Sequence, residues 1–143
     1  MTSLVKNGSR LKQAGIEYKK LKSQFKAFCI EVHRQVTEAT FFVGGISCEE
    51  PGEDGIFRMA YLGKSLTLVF STQQYEHTPT IGLVTAYLSR TYPTERLEQL
   101  HQFTFDNRGK TNMTDDERDD MYIDGDHGAL EVALYVLSLS LAA

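Results

Sequence analysis

Between Leu4 and Ala39 an apolar position recurs every seventh residue: Leu4, Leu11, Tyr18, Phe25, Val32 and Ala39, with Ala14, Leu21 and Phe28 between them. Two rows at that spacing form one stripe along an α-helix. The pattern predicts a helix from about Ser9 to Thr40, with Ser9, after Gly8, as its N-cap. Such a helix of about 30 residues spans ~45 Å, more than twice the ~17–20 Å of a strand of five or six residues. Part of it should overhang its own sheet and need another partner. Alternatively Gly15 breaks it into a packed helix and a frayed arm.

From residue 41 the period changes to two. TFFVGGIS, residues 40–47, reads as a strand bent at its glycines, and EEPGEDG, residues 49–55, as a polar loop. IFRMAYL and SLTLVFS read as strands joined by Gly63-Lys64, a Gly-X pair suited to a type II′ hairpin. IGLVTAYLSR places Ile81, Leu83, Thr85 and Tyr87 on one face. TYPTERLE connects it to QLHQFTFDNRG, where Phe103 and Phe105 point together before a turn at Asn107-Arg108-Gly109. Short connections with no helix between strands imply an antiparallel meander of about five strands.

The chain ends in ALEVALYVLSLSLAA, where Leu130, Leu134, Leu137 and Leu141 form one row and Val132, Val136 and Leu139 the next. A helix apolar nearly all round needs cover on more than one side. The expectation is an α+β fold, with a long N-terminal helix, the meander, and an apolar C-terminal helix packed on the sheet. Residues 1–143 form a single domain in this reading: 1–40 the amphipathic helix, 41–113 the meander, and 114–143 an acidic loop with the last helix.

Composition narrows the class. With 41% hydrophobic and 24% charged residues, the chain resembles a folded globular protein rather than a disordered one. The final apolar run is shorter than the roughly 20 residues that a spanning helix needs, so no membrane association is expected. The first 30 residues show no signal-peptide pattern. Cys29 and Cys48 fit neither a metal spacing nor a secreted disulfide framework, which makes the cytoplasm the expected location.

Charge is distributed unevenly. Residues 1–40 carry eight Lys or Arg against three Glu, whereas residues 114–143 carry one Arg against eight acids. The basic first helix and the acidic last segment can face each other within one molecule or between two. In the helix, Lys12, Lys19 and Lys26 stack at seven-residue spacing beside Lys22. Such a stripe can neutralise phosphates. The acidic total, the pI near 5.5 and the absence of Arg or aromatic residues from the stripe argue against nucleic acid.

The acidic stretch MTDDERDDMYIDGDHGALE, residues 113–131, is the main chemical candidate. Asp120, Asp124, Gly125 and Glu131 fall at positions one, five, six and twelve of a calcium loop. Tyr122 at the third position and His127 at the eighth depart from it, and no second loop is present. A transition-metal site would use Asp124, Asp126 and His127, but adjacent residues seldom converge on one ion. Helix capping explains more. Thr114-Asp115-Asp116-Glu117 fits a capping box for a short helix reaching about Met121, and Asp124 or Asp126 can cap the last helix.

Nucleophilic catalysis has little support. The chain holds no Gly-x-Ser-x-Gly elbow and no phosphate-binding glycine loop, Cys29 lies beside the apolar stripe, and Glu49 and Glu50 disfavour a thiolate at Cys48. His33 and His101 read as surface or packed histidines rather than bases. No cofactor is expected, and no catalytic residue is assigned.

The favoured function is a non-enzymatic protein–protein interaction module, in the manner of an immunity protein, chaperone or inhibitor, oligomeric through its terminal helices. Its expected interface comprises Leu11, Tyr18, Leu21 and Phe25 with Lys19, Lys22 and Lys26, and Asp119 and Asp120 on the acidic side. The partner would be another protein or a second copy. The competing reading is a metal-dependent hydrolase, with Asp120, Asp124, Asp126, His127 and Glu131 as ligands, or a small-ligand binder with a pocket between sheet and helices.

Overall fold

A computed structural model describes residues 2–74, 78–91, 93–114 and 120–143. The helix α1 runs Ser3–Val36, followed by strands β1 Ser47–Cys48, β2 Ile56–Tyr61, β3 Lys64–Gln73, β4 Ile81–Arg90 and β5 Arg96–Phe105. Helix α2, Asp126–Leu139, follows and runs into a 3₁₀ turn at Ser140–Ala142. The sheet is an antiparallel meander in the order β1-β2-β3-β4-β5. This is the α+β architecture read from the pattern. Among the described residues, no helix is long and apolar enough to cross a membrane.

Helix α1 is continuous through Gly15 and starts earlier than expected. Thr2, not Ser9, is its N-cap, with Thr2 Oγ1 accepting from the Val5 amide at 3.3 Å. The helix stops at Val36, short of Thr40, where the Thr37 hydroxyl donates to the His33 carbonyl at 2.6 Å.

One face of the sheet carries the core. The cross-strand rows Phe57–Leu68–Ala86 and Phe70–Val84–Phe103 follow directly from the register, and all six side chains are buried. Phe25 of α1 stacks on Phe70 with ring centroids 5.5 Å apart. Phe70 also meets Tyr18 at 5.7 Å and Phe105 at 6.1 Å. Helix α2 packs against both α1 and β5. Its Ala129, Val132, Ala133, Val136 and Leu137 are buried, and Leu130 and Leu134 lie against the same core. The second cover that α2 needs is supplied by the C-terminal half of α1.

Several local expectations are corrected. Of TFFVGGIS only Ser47 is in a strand, paired as Ser47↔Ala60, because the backbone turns at Gly44 and Gly45; Phe41 and Val43 pack on the core from a loop instead. The β2–β3 turn sits at Leu62-Gly63, one residue earlier than Gly63-Lys64, since Tyr61 pairs with Lys64. Both turn residues have positive φ, 52° and 75°, the type I′ pattern, which glycine tolerates and leucine adopts at a cost. That register frees Lys64 to donate to the carbonyls of Ser140 and Ala143, each at 2.7 Å, at the C-terminal end of the α2 segment. Strand β5 starts at Arg96 rather than near Gln99; its first four residues are exposed on both faces, so no apolar alternation marks them.

Candidate functional site

Along the seven-residue row of α1, exposure falls from 83% at Leu4 and 74% at Leu11 to 39% at Tyr18, 2% at Phe25 and 0% at Val32. Every residue from Thr2 to Gln13 is exposed. The first three turns therefore project beyond the sheet, and contact begins near Glu17, whose carboxylate accepts from the Thr80 amide at 3.2 Å. Of the expected interface residues, Leu11 and Tyr18 remain accessible. Leu21 and Phe25 do not: they are 1% and 2% exposed and belong to the molecule's own core. Val5 and Ile16, not anticipated from the stripe, are exposed at 53% and 55%.

The lysine stripe lines a groove. Lys19, Lys22, Ser23 and Lys26 form one wall, the loop Pro51, Gly52, Glu53 and Gly55 the other, and Phe25, Cys29 and Ile56 the apolar floor; the volume is about 320 Å³. Lys26 and Glu53 form an ion pair across it. Lys22 Nζ lies 5.7 Å from the centre of the Tyr18 ring. Burial pushes the Cys29 thiol pKa far up, so its thiolate is suppressed. The loop wall was legible only as a polar connection, because its approach to α1 is a contact between residues 27 apart, Lys26 and Glu53.

The acidic stretch is laid along the β5 return rather than forming a loop of convergent ligands. The Ile123 amide donates to the Gly109 carbonyl and the Thr111 amide to the Met121 carbonyl, each at 2.9 Å. Met121 is thus not helical; Asp115, Asp116, Glu117 and Asp119, which hold most of the expected capping box and short helix, lie outside the described residues, as does His77. Gly128 is required by packing: a Cβ there would lie 2.6 Å from the Tyr122 carbonyl oxygen. The N-cap of α2 is Gly125, with no side-chain cap from Asp124 or Asp126.

The carboxylates of this region have separate tasks. Asp120 pairs with Lys110 at 3.6 Å, Asp126 approaches Arg34 at 3.9 Å, and Glu131 pairs with His127 at 2.5 Å. Asp124 lies against Gly109. Among the described residues, no three His, Cys, Asp or Glu are grouped so as to hold a metal ion. Arg34 joins Glu31, Glu38 and Asp126, tying the end of α1 to the start of α2, and its hydrogen bond holds the Glu31 carboxyl below the usual range. The basic N-terminal turns and the acidic segment do not meet through any of these pairs.

No family model, curated protein or solved structure matches the chain.

Proposed function

We propose that the protein is a non-enzymatic interaction module that docks through the first turns of α1, with a second copy of the chain as the partner. The observation that carries the reading is the apolar pair Leu4 and Leu11, 83% and 74% exposed on turns where every residue from Thr2 to Gln13 is exposed, continued by Tyr18, which Phe70 covers in part. An isolated helix of three turns is marginal in water, and an amphipathic one gains most of its stability from packing.

Charge favours a particular arrangement. The projecting residues 3–13 carry Lys6, Arg10 and Lys12 and no acid. Two such segments side by side would repel. The exposed Asp120, Asp124 and Asp126 of a second copy offer the opposite sign. A reciprocal contact, basic projection on acidic rim in both directions, closes as a two-fold dimer. The class is that of immunity proteins, chaperones and inhibitors, which act by covering another surface. Helix α2 is not needed for the contact, because α1 and the sheet already cover it.

Light scattering tests the reading. The wild type should form a dimer that dissociates as salt rises, and Leu4→Glu/Leu11→Glu should be monomeric, with the unfolding midpoint that the wild type shows when diluted to monomer. A wild type that is monomeric through high micromolar concentration overturns it.

A further inference from the structure

The groove between α1 and the Pro51–Ile56 loop has a chemistry that self-association does not use. We infer that it is a binding site for a small organic anion, with a phosphate or carboxylate head at Lys19 and Lys22 and a compact apolar body on Phe25, Cys29 and Ile56.

Three features converge on that class of ligand. The volume of about 320 Å³ lies within the range of roughly 300–1,000 Å³ typical of small-molecule sites. The ammonium groups of Lys19, Lys22 and Lys26 project from positions i, i+3 and i+7, one side of one helix, over an apolar floor. A head of negative charge and a body without charge match those two parts.

The fold itself places a carboxylate here. Glu53 reaches across to Lys26 with its side chain 82% exposed, and Lys26 first, then the charge of Lys22, holds its carboxyl below the usual range. Glu53 satisfies one lysine of three. Among the described residues neither Lys19 nor Lys22 has a carboxylate within ion-pair reach. The Pro51–Ile56 wall is preformed, with Asp54 Oδ1 accepting from the Ile56 amide at 3.2 Å and the Gly55 carbonyl accepting from the Phe70 amide at 2.8 Å. Glu53 therefore acts as an internal competitor, which an incoming anion displaces from Lys26 without rebuilding the loop.

The test is amide chemical-shift titration of the full chain with phenyl phosphate, benzoate and inorganic phosphate. Phenyl phosphate should shift the amides of Ser23, Gly52 and Gly55 and bind about tenfold tighter than inorganic phosphate, since only the former uses the floor. Benzoate separates a carboxylate source from a phosphate source by its affinity relative to phenyl phosphate. Lys19→Gln/Lys22→Gln should weaken phenyl phosphate about tenfold, as expected from two ion pairs near the surface. Glu53→Gln should tighten it several-fold by freeing Lys26. Leu4→Glu/Leu11→Glu should leave it unchanged, which separates this site from the dimer contact. Equal affinity for phenyl and inorganic phosphate, shifts away from the groove, indifference to the lysine pair, or no saturable binding at millimolar ligand each overturns the inference.

Discussion

The two halves of α1 share one sequence pattern and live in different surroundings. Phe25 and Val32 continue the row begun by Leu4 and Leu11, yet the former pair is 2% and 0% exposed and the latter 83% and 74%. From Leu21 onward the helix is anchored by an aromatic cluster on the sheet and by Arg34 and Gln35, whose side chains reach Asp126. Before Ala14, among the described residues, it has its own backbone, the Thr2 cap and a hydrogen bond from Gln13 to Glu17 within the helix. A heptad pattern thus specifies a helical stripe that needs covering. What covers it is decided by chain elsewhere.

The largest expected contrast comes from truncating one residue in each half. Phe25→Ala should cost about 3–5 kcal/mol, the usual penalty for deleting a buried aromatic ring. Leu11→Ala should change the stability of the monomer by less than about 0.5 kcal/mol, as for other exposed positions. Urea unfolding of both variants checks this, and a comparable loss at Leu11 would mean that the projecting turns are anchored after all.

Thiol labelling sharpens the anchored side. Cys29 is buried, and burial pushes the half-buried Cys48 thiol up to about 11. A disulfide reagent at mildly alkaline pH should modify Cys48 slowly and Cys29 only as the anchored half unfolds. Cys29 reacting first would contradict its place in the core.

Smaller effects belong to the projecting half. A Cβ at Gly8 or Gly15 meets nothing within 4 Å. Gly8→Ala and Gly15→Ala should each favour helix there by about 0.5–1 kcal/mol. Circular dichroism should gain helical signal while the unfolding midpoint stays in place. A higher midpoint would couple the projection to the core.

The smallest effect is a pH step on the far side of the core. Desolvation lowers the pKa of His101, whose Nε2 lies 3.3 Å from Met113 Sδ and whose ring faces Tyr135 at 6.0 Å. Its folded pKa lies below its unfolded value near 6.5, so the neutral ring is favoured in the fold. That contribution is fully present above pH ~6.5 and is lost as pH falls through the lowered folded pKa. His101→Phe should flatten that part of the stability–pH curve while leaving the exposure of the first turns of α1 unchanged.

The order of elements was legible because it depends on local periodicity. Leu66, Leu68 and Phe70 alternate as a half-buried strand must, and the observed strand includes all three. The point at which the α1 stripe passes from solvent to core was not legible, because Tyr18 and Leu21 have the same local pattern as their neighbours. The turn at Leu62-Gly63 was missed by one residue because leucine at positive φ runs against its intrinsic preference; pairing of Tyr61 with Lys64 overrides it. Asp124 and Asp126 were misread as caps of the last helix because the register before it is set by Gly109 and Thr111, more than ten residues away from Tyr122 and Ile123. The groove depends on the approach of Glu53 to Lys26, a long-range contact without a sequence signature.

Residue-resolved hydrogen exchange, measured across protein concentration, tests the account most directly. Amides from Leu21 to Val36 should be protected at every concentration. Those from Lys6 to Gln13 should exchange rapidly in dilute protein and slow as concentration rises, with half-protection tracking dimer formation. Rapid exchange in that segment at all concentrations, alongside full protection beyond Leu21, would contradict the claim that the projecting turns are where this molecule docks.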